Sequence, residues 1–158
     1  DVGILLNGYF GDAAITVPIG EIDEEKQRLI DVTRGSLDAA IAVAIPGGKL
    51  SDISAAVQNH VEPNGFSIVK AYVGPGIGQA LHEPPQVPNF VMPGRMLSDV
   101  PLKRGMTIAI EPMVNAGTHK VEKLSNEWTV ITRDRKPSAH FEHTIAITDN
   151  GARILTVP

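Results

Sequence analysis

Apolar and polar positions along the chain fall into two rhythms, one of strands and one of helices. At the front, two apolar runs flank Asn7-Gly8 in DVGILLNGYFGDAAITV. Both turn residues tolerate positive φ, so the segment predicts a β-hairpin. A helix is expected next, entered at Asp23, with Glu24 and Glu25 in a first turn where the helix dipole favours acids. It runs through KQRLIDVTRGSLDAAIAVA and stops before Pro46 and Gly47-Gly48. Ser51 or Asp52 is expected to cap a second helix, ISAAVQNHVE, that ends at Pro63-Asn64-Gly65. Short strands are predicted at FSIVKAY, MTIAIEP, WTVIT, HFEHTIAIT and ARILTV, the last two joined through Asp149-Asn150-Gly151. Residues 84–101, with five of the twelve prolines, read as a long ordered loop or lid. A hairpin, two helices and then mainly antiparallel strands make an α+β pattern.

A length of 158 residues gives one domain. A hairpin that begins at the first residue has nothing before it to cover its faces, so the chain reads as a portion of something longer. Only 4% of residues are aromatic, which leaves the core to Val, Ile, Leu and Ala. The net charge of −4 argues against nucleic acid as a partner. No apolar run has the length of a membrane span, and no signal peptide is recognisable. The absence of cysteine excludes disulfides, a thiol nucleophile and thiolate metal sites, and it fits a cytoplasmic setting.

The strand rhythm puts acids on shared faces. With the turn centred on Asn7-Gly8, opposed residues have numbers that sum to 15, so Asp12 faces Gly3 and Asp1 faces Ala14. Asp1 and Asp12 are then diagonal neighbours on one face, with Cα atoms roughly 7–8 Å apart. A one-residue slip would separate them. In MTIAIEP the period of two groups Thr107, Ala109 and Glu111 against Met106, Ile108 and Ile110. In HFEHTIAIT it groups Glu142, Thr144 and Ala146 against Phe141, His143, Ile145 and Ile147. Each acid, Asp12 included, shares its face with an alanine and a threonine, and these small neighbours leave a hollow. Such acids are either solvent-facing strand ends or a converging cluster. A cluster would need a cation, since like charges in a cleft otherwise force protonation. An all-oxygen set suits Mn²⁺, Mg²⁺ or Fe²⁺.

GYFGDAA, GIGQALHEPPQVPNF, LKRGMTIAIEPMVNAG and SAHFEHTIAITDNG, in that order, resemble type I methionine aminopeptidases over essentially the whole chain. The resemblance implies a pita-bread fold, a curved and mainly antiparallel sheet with helices on its outer face. Residues 1–20 would be the last hairpin of its first half and residues 21–158 its second half, together one incomplete peptidase domain. It also implies two divalent metal ions (Mn, Fe, Co or Zn) held by Asp1, Asp12, Glu111 and Glu142, with Glu111 also shuttling a proton. His82 in LHEPP would contact the scissile amide, and Leu81 and Trp128 would line the methionine pocket. His140 and His143 flank Glu142, with His143 on the packed face as a structural histidine, and Glu83 is expected to be a solvated loop acid. The family's metal histidine belongs in a Gly-His-Gly-Ile-Gly loop, where this chain has Gly74-Pro75-Gly76-Ile77-Gly78. Proline has no donor for a metal, so one metal position is expected to be weakened. The implied activity is removal of N-terminal methionine from nascent chains, with a further chain as a possible source of the missing half. The alternative is an impaired module that binds a peptide or protein partner.

Overall fold

The computed structural model describes residues 1–91 and 99–157. The front hairpin pairs β1 (Val2–Leu6) with β2 (Tyr9–Ala14) in the expected register, Gly3 opposite Asp12. Its turn residues Asn7 and Gly8 both take positive φ, 51° and 84°, the geometry that matches strand twist in a two-residue loop. Helix α1 (Glu24–Val43) is capped by the Asp23 carboxylate, which accepts from the Lys26 N–H at 2.9 Å. Helix α2 (Leu50–Val61) starts three residues earlier than the expected Ile53, with Lys49 as its cap. The first-turn donors are satisfied in another way than by a Ser51 or Asp52 cap. Asp52 accepts from the Lys49 N–H at 2.8 Å, and Asp99 accepts from the Ser51 N–H at 3.1 Å.

Seven strands form the main sheet in the order β1-β2-β11-β6-β4-β5, with β12 also on β11. Here β4 is Gly74–Gly76, β5 Glu83–Val87, β6 Thr107–Ile110, β11 Glu142–Thr148 and β12 Gly151–Ile154. A second sheet joins β10 (Ser138–His140), β7 (Met113–Asn115) and β3 (Ser67–Ile68), and β8 (Val121–Lys123) pairs β9 (Val130–Thr132). All these pairings are antiparallel.

Several expected strands are divided between sheets. FSIVKAY gives only Ser67–Ile68 before the chain resumes as β4, and HFEHTIAIT breaks at Phe141 so that its two parts serve different sheets. Part of the proline-rich segment is a strand after all: β5 ends the sheet order, where proline's missing N–H is tolerated. The 92–98 portion of that expected loop lies outside the described residues.

Ile108, Ile110, Ile145 and Ile147 turn one face of the sheet onto both helices, where Leu29, Leu37, Ile53, Val57 and Val61 complete the core. The opposite face carries Glu142 and Thr144. Each threonine on that face clips a neighbouring strand instead of lining a hollow. The Thr144 hydroxyl accepts from the Asp12 N–H at 2.9 Å and donates to the Asp12 carbonyl at 2.8 Å. Thr16 makes the same pair of bonds with His140, at 2.8 and 2.9 Å, and Thr107 donates to the Ile77 carbonyl. Among the described residues no helix is long and apolar enough to cross a membrane.

Candidate metal centre and cleft

Asp1, Asp12 and Glu142 each place a carboxylate oxygen within 4.8 Å of the others. The hairpin register puts the two aspartates on one face, and β2 lays Ala14 opposite Glu142. The three acids differ in surroundings: Asp1 is exposed, Asp12 half-buried and Glu142 only 2% exposed. Burial pushes the Glu142 carboxyl up to about 8, and the charges of Glu111 and Asp12 push the same way. Its Oε1 is buried and has no hydrogen-bond partner. A buried, unpartnered carboxylate oxygen facing two other acids is costly on its own. A bound cation would satisfy the oxygen and remove the repulsion, so the donor set fits a hard or borderline divalent ion.

Glu111 follows β6 and its backbone carbonyl accepts from Asn89 Nδ2 at 2.9 Å. Its Oε2 lies 3.6 Å from His140 Nε2. Both residues line a cleft of about 820 Å³, together with Asp1, Pro75 and His82. Val69, Val73, Met113, Val130 and Ile131 give the cleft an apolar wall. Pro75 sits buried in β4, squeezed between β5 and β6. A Cβ at Gly74 would meet the Ala109 carbonyl oxygen at 2.2 Å, and one at Gly76 the Pro84 carbonyl oxygen at 2.5 Å. Glycine on both sides of residue 75 is therefore a requirement of strand packing.

His82 is exposed at the cleft. Glu83 is half-buried, not a solvated loop acid: it accepts from the Ala80 N–H at 2.7 Å and so fixes the turn that carries His82. His143 is the structural histidine expected, with Nδ1 2.8 Å from Thr156 Oγ1. Burial holds its pKa below the ordinary value, against the pull of Asp38.

Two expected pocket residues are placed elsewhere. Trp128 is 87% exposed beyond the end of β8 and is not among the residues lining the cleft. The strands of that same hairpin, through Val121, Val130 and Ile131, reach the cleft in its stead. Leu81 is half-buried and also off the cleft wall; its Cδ1 would stand 3.5 Å from a Cβ at Gly3, against the front hairpin. The sequence marks His140 only as a neighbour of Glu142 and gives it no role, although the period of two that placed Glu142 puts residue 140 on the same side.

The profile of metallopeptidase family M24 matches residues 1–149. The chain is 51% identical over 156 residues to methionine aminopeptidase 1 of Bacillus subtilis, covering 99% of this chain and 62% of that protein. Against methionine aminopeptidase of Clostridium acetobutylicum the identity is 50% over 157 residues, with the same coverage of 99% and 62%. This chain thus spans less than two thirds of the length of these relatives. The crystal structure of methionine aminopeptidase from Thermotoga maritima superposes with a TM-score of 0.94 at 47% identity, over 99% of this chain and 61% of that one. Prolidase from Pyrococcus furiosus, at 23% identity and a TM-score of 0.76, shares the fold alone. The chain belongs to metallopeptidase family M24 and has the pita-bread fold that its motifs imply.

Proposed function

We propose that the cleft is the site of a metal-dependent aminopeptidase that removes methionine from the N-terminus of a nascent chain. The observation that carries this is the orphaned, buried Glu142 carboxylate facing Asp1 and Asp12, with Asp1 itself lining a cleft that has an apolar wall. The relatives at about 50% identity named methionine aminopeptidase support the choice of substrate. Asp1, Asp12, Glu111 and Glu142 would hold two divalent ions. When bound, such ions supply Lewis-acid activation of water and of the scissile carbonyl. Glu111, half-buried and lining the cleft, is placed to take and return a proton. His82, on the turn braced by Glu83, is placed to donate to the oxygen on which charge develops. Val69, Met113 and Ile131 offer an apolar wall to the methionine side chain.

A second reading rests on Pro75. Its ring offers no donor where the family pattern has a histidine, so a chain that grips peptide termini without cleaving them has a specific residue in its favour. The eight large apolar side chains exposed between Val2 and Ile19 support a further polypeptide segment or chain lying over the hairpin. Release of methionine from a Met-Ala-Ser peptide with saturating Mn²⁺ or Co²⁺ separates the readings, run on the native protein and on Pro75→His. Turnover by either protein supports the peptidase. Two folded, metal-loaded proteins that release nothing, yet bind the peptide, support the binding module.

A further inference from the structure

We infer that His140 supplies the nitrogen donor that Pro75 cannot, so that a divalent ion beside Glu111 is held from β10 instead of from β4. This rests on the metal-centre reading above and names a ligand that the family pattern does not provide.

His140 Nε2 is buried, and no hydrogen-bond partner reaches it. Interior imidazole nitrogens seldom go unpaired, so one that does calls for a ligand. The nearest carboxylate oxygen, Glu111 Oε2 at 3.6 Å, is too far for a hydrogen bond. It is at the right separation for two donors on one ion. With bonds of about 2.1 Å, donors stand about 3.0 Å apart at a right angle and about 3.6 Å apart near 120°.

The backbone aims the ring. His140 and Glu142 have the same parity, and the intervening Phe141 turns into the core at 4% exposure. His140 Nε2 and Glu142 Oε1, both orphaned, therefore project to the same side from positions two apart. The main chain at His140 is held on one side by the Thr16 hydroxyl and on the other by pairing with Met113. A donor held in this way loses little freedom on binding. Pro75, Glu111 and His140 all line the same cleft, and an ion held by Glu111 and His140 would be a second position beside the cluster of Asp1, Asp12 and Glu142.

The other histidines are less suited. His143 bonds Thr156 on the helix-facing side. His60 packs against α1, its Nε2 2.7 Å from where a Cβ at Gly35 would stand. His119 is not among the cleft-lining residues. His82 does line the cleft but is exposed, which makes it the competitor to exclude. A nitrogen among carboxylates shifts the site from Mg²⁺ toward Mn²⁺, Fe²⁺, Co²⁺ or Zn²⁺.

The test is pulsed EPR on the protein carrying one equivalent of Mn²⁺, read for ¹⁴N coupling from a directly bound imidazole, with Mn²⁺ affinity measured in parallel. Native protein and His82→Gln should both show the coupling. His140→Gln should lose it, with Mn²⁺ affinity lower by about 10- to 100-fold. Coupling that disappears in His82→Gln overturns the inference, and that arm does not depend on how any His140 variant folds. Coupling that survives in His140→Gln overturns it as well. Mn²⁺ bound tightly by the native protein without nitrogen coupling overturns the role of His140 and leaves the carboxylate centre standing. No Mn²⁺ binding at all overturns the metal-centre reading itself.

Discussion

Ile145, in the middle of the main sheet, is fully buried, whereas Ile4 and Leu6 on its edge strand are 58% and 68% exposed. As sequence, the VGILL of β1 is as apolar as the TIAI of β6. The difference lies in what each strand meets: β6 and β11 pack on two helices, and all five residues of β1 are exposed. The acids divide along the same line. Asp1 and Asp12 come from the lightly packed hairpin, while Glu142 comes from a strand packed on both faces. A cation at this cluster would tie the two regions together, and the cost of holding the acids close falls mainly on the buried partner.

The comparison can be broken by substitution. Ile145→Ala should cost about 2–5 kcal/mol in chemical denaturation, as large-to-small changes in packed cores do. A cost near zero would mean that the sheet centre is not the core.

The next largest effect is one of pH. The Glu142 carboxyl is raised to about 8 in the folded protein from an ordinary 4.5, so the folded state binds a proton more firmly than the unfolded chain between those values. Its contribution is therefore favourable below about pH 4.5 and is lost as the pH climbs toward 8. Metal-free protein should lose on the order of a few kcal/mol of stability across that window. Glu142→Gln should flatten the profile, and a native profile that is already flat would contradict the burial argument.

Asp12→Asn should weaken Mn²⁺ binding by about 10- to 100-fold in calorimetric titration. Because the residue is only half-buried, the metal-free protein should change in stability by no more than about 0.5 kcal/mol. Smallest of all, Leu6→Ser should leave stability within about 0.5 kcal/mol. A loss comparable to that of Ile145→Ala would show the edge strand to be packed after all.

Much of this was legible in the sequence because local chemistry decided it. Asn7-Gly8 fixed the hairpin register, and with it the meeting of Asp1 and Asp12. Asp23 marked the start of α1, and the period of two assigned Ile108, Ile110, Ile145 and Ile147 to the helix-facing side. What was not legible depended on partners distant in sequence. Asp99 accepts from the first turn of α2 from 48 residues away, and Phe141 separates a strand of one sheet from a strand of another. The threonines expected to leave a hollow instead bond backbones up to 132 residues distant. Trp128 was assigned to the pocket by resemblance, yet the turn beyond β8 carries it out into solvent. His140 was within reach of the same alternation that found Glu142, but only its unpartnered Nε2 beside Glu111 distinguishes it from any strand-end histidine.

The central claim, a divalent cation held jointly by the hairpin and the buried strand, is tested most directly by thermal unfolding at pH 7.5 with Mn²⁺ and with EDTA. A ligand that binds only the folded state adds about 2.7 kcal/mol at one hundred times its Kd. The native protein should therefore melt several degrees higher with Mn²⁺, and a protein carrying both Asp12→Asn and Glu142→Gln should show no such shift. An unchanged melting temperature in the native protein, or a shift that persists in the double variant, would contradict the account.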